Sequence, residues 1–231
     1  MNIHTIGDSH SKYGWNKIDD VMVHHIGPKL CYSIGRDKPI MVHGSLPLEP
    51  DGYTVPPWKQ IVKDDMVIFC FGEIDCRCHI GKYVITSGSS HTSGSVSSST
   101  QFVEKTHKDV IDEIVEPYFE ALKLNEQAMS GIKIVVYNVP PPCKQYEQHP
   151  METFPFVGTD DERKTYHEYF NSALSKKCKE YGYAFFNVYD RYKDDKGFID
   201  KNFSDGGVHI TDPIYMKDEL ERVKKFFGVV A

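Results

Sequence analysis

Five short runs rich in Val, Ile and Phe, at residues 2–6, 21–26, 66–71, 132–138 and 184–188, alternate with longer stretches whose apolar side chains recur every three or four residues. That alternation predicts a parallel sheet with helices on both faces, because parallel strands need crossover connections that return the chain to the same edge. The clearest helical stripe is Val103, Val110, Ile111, Ile114, Tyr118, Ala121 and Leu122. A second comprises Tyr166, Tyr169, Phe170, Ala173, Leu174 and Cys178, with Thr159, Asp160 or Asp161 as N-cap and a stop near Gly182. A third runs from Pro213, expected at the first helical position, through Leu220, Val223 and Phe226 to Gly228. The apolar pieces at 31–34 and 40–43 read as edge structure.

The 231 residues suit one large α/β domain over 1–231, with no shift in composition that would divide two cores. Residues 87–100 are Ser-, Gly- and Thr-rich and cannot bury themselves, which predicts a flexible loop, either a plain insertion or a lid. A net charge of −6 without a dense Lys/Arg cluster argues against nucleic acid as partner. No run approaches the roughly 20 apolar residues of a membrane span, and no basic-then-apolar leader opens the chain, so no membrane partner and a cytoplasmic location are expected. The six cysteines are scattered, which suits reduced thiols better than a disulfide framework. Cys76-Arg77-Cys78-His79 has the ligand types of a zinc site but not the spacing, and no second pair completes it; neither metal nor cofactor is expected.

Chemistry concentrates where the first strand breaks into Gly7-Asp8-Ser9-His10-Ser11. A serine on such a turn can be a nucleophile, or the turn's amides can cradle a phosphate. Near the other end, Asp205-Gly206-Gly207-Val208-His209 carries a carboxylate and an imidazole on one short segment. Ser, His and Asp are what acyl transfer requires: the imidazole takes the hydroxyl proton and the carboxylate orients the imidazole. The third strand leads into Gly72-Glu73-Ile74-Asp75-Cys76-Arg77, and the fourth into Asn138 and Pro140-Pro141-Pro142. In open parallel sheets these loops share the edge where ligands bind. Gly27 and Gly35, after the second strand, could donate backbone amides there. Asp8 reads chiefly as a turn stabiliser, His10 as a substrate contact or a solvent-facing neighbour, and Asn138 as a polar crevice contact or a plain strand terminator.

This order of blocks, from Gly7 to His209, resembles the SGNH or GDSL-type serine hydrolase superfamily. No Gly-x-Ser-x-Gly elbow marks the α/β-hydrolase alternative. The resemblance implies a flavodoxin-like three-layer α/β/α sandwich with a parallel five-stranded sheet, Ser9 as nucleophile, His209 as general base, an upstream acid, and an oxyanion held by the Ser9 amide, a glycine amide and an asparagine. Two departures stand out. Ile74 occupies the place of the oxyanion asparagine in the family's Gly-x-Asn-Asp block, leaving Arg77 as a substitute donor or as the ion-pair partner of Glu73 or Asp75. Asp205 lies four residues before His209, where the family places its acid three before, so Asp212 or a two-residue dyad are the alternatives.

The leading expectation is a serine esterase acting on small acyl, chiefly acetyl, esters, with sugars or polysaccharides as the carriers to try first. An O-acyltransferase using the same nucleophile, or a weakened glycan-binding module, are the alternatives. A nucleotide-binding or methyl-transferring α/β protein is more distant, since no Gly-x-Gly-x-x-Gly loop follows the first strand.

Overall fold

In the computed structural model, residues 1–43, 61–84, 104–145 and 154–229 are described; the expected loop at 87–100 lies outside them. Five strands, β1 (Ile3–Gly7), β2 (Val21–His25), β3 (Met66–Cys70), β4 (Lys133–Tyr137) and β5 (Ala184–Phe186), pair in parallel throughout in the order β2-β1-β3-β4-β5. All five expected strands are present, each end within two residues of the sequence reading.

Alternate strand residues feed two cores, which makes the molecule three-layered. Val67, Phe69 and Phe71 face one side, with Ile34, Ile114, Tyr118, Phe119 and Phe170. Met66, Ile68 and Cys70 face the other, with Trp15, Phe186, Tyr192, Leu220 and Val223. The first side is covered by α1 (Cys31–Asp37), α2 (His107–Ala128) and α3 (Asp160–Tyr181), the second by α4 (Tyr189–Tyr192) and α5 (Ile214–Phe226). The architecture is therefore the flavodoxin-like α/β/α sandwich.

Helix boundaries follow local chemistry. Thr106 and Thr159 each close a reciprocal capping box, with Asp109 and Glu162 respectively, satisfying amides that the first helical turn leaves open. Among the three candidate caps of α3, Thr159 is the one used, and α3 ends on the left-handed Gly182. Pro213 serves as the cap of α5 instead of its first residue.

The segment expected as edge structure at 31–34 is instead helical. Its cap comes from afar: the buried Asp75 carboxylate accepts from the amides of Cys31 (2.7 Å) and Tyr32 (3.1 Å), 44 and 43 residues away in sequence. Residues 41–43 form a turn tied to α2, where Asn125 Oδ1 accepts from the amides of Met41 and Val42.

The chain passes from β1 to β2 on one side and then, through α1, back past β1 to β3 on the other. Its carboxyl end is thus the point where the winding reverses, and crevices open at such points. Gly7 closes β1 there because a Cβ would sit 2.1 Å from the Cys70 carbonyl oxygen. The chain turns immediately afterwards.

Candidate active site

Asp8-Ser9-His10-Ser11 forms a single 3₁₀ turn fixed from several directions. The Asp8 carboxylate accepts from the His10 amide at 2.8 Å, the Ser11 hydroxyl bonds to the Asp8 carbonyl at 2.8 Å, and the Ser11 carbonyl accepts from Thr5 Oγ1 at 2.7 Å. Asp8 is therefore the turn stabiliser of the sequence reading. Its Oδ2 is buried and has no hydrogen-bond partner among the described residues.

The segment bearing Asp205 and His209 is a tight loop whose flanks bridge at Ser204 and Ile210. The Asp205 amide donates to the His209 carbonyl at 3.1 Å, so the two residues face one another across the loop. Gly206 makes the turn at φ +83°, a backbone conformation that side chains disfavour. This geometry explains the spacing: acid and base meet across a loop, so one extra residue is absorbed in its tip.

Ser9, His209 and Asp205 come together in one hydrogen-bonded line. Ser9 Oγ lies 2.8 Å from His209 Nε2, and His209 Nδ1 lies 2.6 Å from Asp205 Oδ2. An ionised carboxylate only accepts, so Nδ1 carries the proton and Nε2 turns its lone pair to the serine hydroxyl. Asp205 Oδ1 is occupied by the amides of Gly207 (2.8 Å) and His209 (3.3 Å). Burial pushes the Asp205 carboxyl up, but the hydrogen bond and charge of His209 and these amides outweigh it, holding the group below the usual carboxylate range. The Tyr13 ring stacks on His209 at 4.1 Å between centroids, and the His10 ring lies tilted against it at 5.1 Å. Asp212, the alternative acid, accepts from the Ile214 amide at the start of α5 instead.

Several other site candidates have structural employment. Arg77 grips Glu73 with two hydrogen bonds, 2.6 and 3.0 Å, and gives its third to the Phe154 carbonyl. Both side chains are nearly buried, 11% and 4% exposed, so of the two expected roles the ion pair with Glu73 is the one the structure contains. Burial opposes the Glu73 charge, yet Arg77 prevails and brings the carboxyl down to about 2. Asp75 caps α1; burial drives its carboxyl up to about 7 against the pull of the two amides, with the nearby Asp8 charge adding to the rise.

Gly35 is not an amide donor to the crevice. It lies within α1, where a Cβ would come 2.9 Å from the Pro117 backbone and ring, so it is glycine to let α1 approach α2. Asn138 is fully buried and bridges backbones, donating to the Val139 carbonyl and accepting from the Val188 amide, 2.8 Å each, so it ties β4 to the exit of β5 and contacts no crevice. His10 is buried, 6% exposed, and so is not the solvent-facing neighbour of the sequence reading.

Ile74, in the place of the family's asparagine, is 7% exposed and donates nothing. Of the expected amide donors, those of Ser9 and Gly27 stay outside the backbone hydrogen-bond network. Neither has a hydrogen-bond acceptor among the described residues. Gly27 sits in the turn just after β2, whose last link to β1 is the Ile26 amide to the Gly7 carbonyl. The described residues hold no group of three or more Cys, His, Asp or Glu arranged to bind a metal.

No family model matches this chain, and no curated protein does. Solved structures do. A GDSL-like lipase from Bacteroides thetaiotaomicron superposes with a TM-score of 0.54 at 13% identity, covering 99% of this chain and 89% of that one. Est24, a carbohydrate acetylesterase from Sinorhizobium meliloti, superposes with a TM-score of 0.51 at 12% identity, covering 99% of each chain. At these identities the likeness is one of fold: the chain has the architecture of the GDSL-type hydrolases, over essentially its whole length. What the shared architecture does in this molecule is decided by its own residues.

Proposed function

We propose that this protein is a serine ester hydrolase that cleaves small acyl esters through an acyl-enzyme on Ser9. The observation that carries the reading is the continuous hydrogen-bonded line from the Ser9 hydroxyl through His209 to Asp205, at the reversal point of a GDSL-type sheet. In this mechanism His209 Nε2 takes the proton as Ser9 Oγ attacks the ester carbonyl. The oxyanion is held by the amides of Ser9 and Gly27. His209 then gives the proton to the departing alcohol, and a water, activated by the same imidazole, releases the acid and restores the hydroxyl. With two amide donors and no asparagine, turnover is expected to be about a hundredfold below that of a three-donor site.

Acetylated sugars are the substrate class to try first, a choice supported by the fold shared with a carbohydrate acetylesterase. The reaction needs no cofactor or metal. The six cysteines are all buried and free, which supports a reducing, cytoplasmic setting; among the described residues no helix is long and apolar enough to cross a membrane.

The deciding experiment is labelling with a fluorophosphonate followed by intact-mass measurement. Wild type should gain one adduct and Ser9→Ala none. A wild type that stays unlabelled and does not hydrolyse p-nitrophenyl acetate, yet retains a glycan, would replace the enzyme with a binding module, the reading that Ile74 favours.

A further inference from the structure

The nucleophile and its base stand 200 residues apart in sequence, so no local connection sets the distance between them. Their immediate chain neighbours, however, are joined. His10, next to Ser9, places Nε2 at 3.1 Å from the carbonyl oxygen of Val208, next to His209. The peptide links Ser9–His10 and Val208–His209, with the two hydrogen bonds between them, close a small ring whose fourth side is the Ser9–His209 contact itself. On its other nitrogen, His10 Nδ1 meets Asp8 Oδ1 at 2.9 Å.

We propose that His10 is a positioning residue of this site, whose two hydrogen bonds, to Asp8 and to the Val208 carbonyl, hold the serine turn and the His209 loop at reacting distance. The proposal rests on the esterase reading. Both of its acceptors are oxygens with no hydrogen to give, so both ring nitrogens must be protonated and the ring is an imidazolium. The surroundings can hold that charge. Burial disfavours it, but the Asp8 charge and hydrogen bond, the more distant Glu73 carboxylate and the Val208 carbonyl outweigh burial and keep the imidazole protonated above its ordinary range. Of the other groups facing it, Arg77 is neutralised by Glu73, His167 is held neutral by burial, and the His209 ring lies tilted against it at 5.1 Å. If His10 lost its proton, one of its two bonds would fail. Where the bond that fails is the one to Val208, the loop loses its link to the ring beside Ser9 and is left to the Tyr13 stacking and the apolar packing of Val208 and Ile210.

The consequence is kinetic, since a shift of about 1 Å between reacting groups can cost a hundredfold in rate. His10→Ala should lower kcat on p-nitrophenyl acetate by about 30- to 100-fold with KM within about threefold, and slow fluorophosphonate labelling of Ser9 in parallel. His10→Gln, whose carboxamide can still donate toward Val208, should recover part of the loss, and should lack the fall in kcat at high pH that follows deprotonation of His10 in wild type. Nitrogen NMR of wild type should show His10 mostly doubly protonated at pH 6.5, where a free imidazole is about half protonated, and this measurement stands even if the alanine variant does not fold. A folded His10→Ala with kcat within about threefold of wild type overturns the proposal, as does a neutral His10 ring in the wild-type spectrum. Failure of wild type to label at all overturns the esterase reading, and the positioning role with it; normal labelling with an indifferent His10 overturns only the latter.

Discussion

Replacing Asp205 by asparagine should remove most of the ester turnover while leaving the protein folded. In the structure Oδ1 accepts from two loop amides, and an asparagine carbonyl can keep both. The carboxamide nitrogen then takes the place of Oδ2, 2.6 Å from His209 Nδ1. That nitrogen donates, so Nδ1 must accept, the ring proton moves to Nε2, and the lone pair that should receive the Ser9 proton is gone. Restoring the active tautomer costs the charge-assisted hydrogen bond, about 1.5–3 kcal/mol, plus a donor-to-donor clash. The Asp205 side chain is one-third exposed, which lets water relieve part of this. The net is about 3–4 kcal/mol, or about 10²- to 10³-fold in kcat/KM. Initial rates on p-nitrophenyl acetate, with thermal melting as a control on folding, measure it. A variant within about threefold of wild type at an unchanged melting temperature would refute the assignment of Asp205 as the orienting acid.

Three further outcomes are expected. Gly35→Ala should force α1 away from α2 at a cost of about 1–3 kcal/mol, visible as a lower melting temperature with kcat per folded molecule preserved; a normal Tm with lost kcat would return Gly35 to the oxyanion site. Arg77→Met should strand the buried Glu73 carboxylate and lower Tm by on the order of 10 °C, with much of the loss recovered by adding Glu73→Gln; loss of turnover without loss of stability would make Arg77 an oxyanion donor after all. His167, fully buried with Nδ1 donating to the Pro140 carbonyl at 2.7 Å, is pushed down to about 4 by burial. Because the unfolded imidazole protonates first, His167's contribution is complete above pH 6.5 and is lost as pH falls toward 4, about 3 kcal/mol in all. Melting curves across that range should be flatter for His167→Gln, and an identical slope would remove His167 as the cause.

The sheet was legible because each strand is a short apolar run and the connections between them carry helix periodicity. The Ser9, His209 and Asp205 line was legible for a different reason: the three residue types are those acyl transfer needs, and the resemblance to the SGNH or GDSL-type superfamily pairs the serine turn with the acid and imidazole near the other end. What escaped depends on contacts between distant parts of the chain. Nothing in residues 31–37 announces a helix, because its cap is Asp75, supplied by the segment after β3. Arg77 and Glu73 lie four apart, a spacing that admits an ion pair, but only the folded chain shows that the pair forms and is buried. Asn138 and Gly35 are residue types that mark crevices as often as they mark packing, and sequence alone does not separate the two. His10 gave no usable signal, since its partner Val208 contributes only a backbone carbonyl, which any residue offers.

The contact between residues 9 and 209 bears on how such a molecule comes into being. During synthesis the hydroxyl emerges 200 residues ahead of the imidazole that would activate it, and that imidazole is translated only after all five strands. Until then the polypeptide can pair its strands while remaining chemically inert. Reactivity is therefore a late acquisition, and a chain truncated anywhere before that loop would carry the serine without the means to use it.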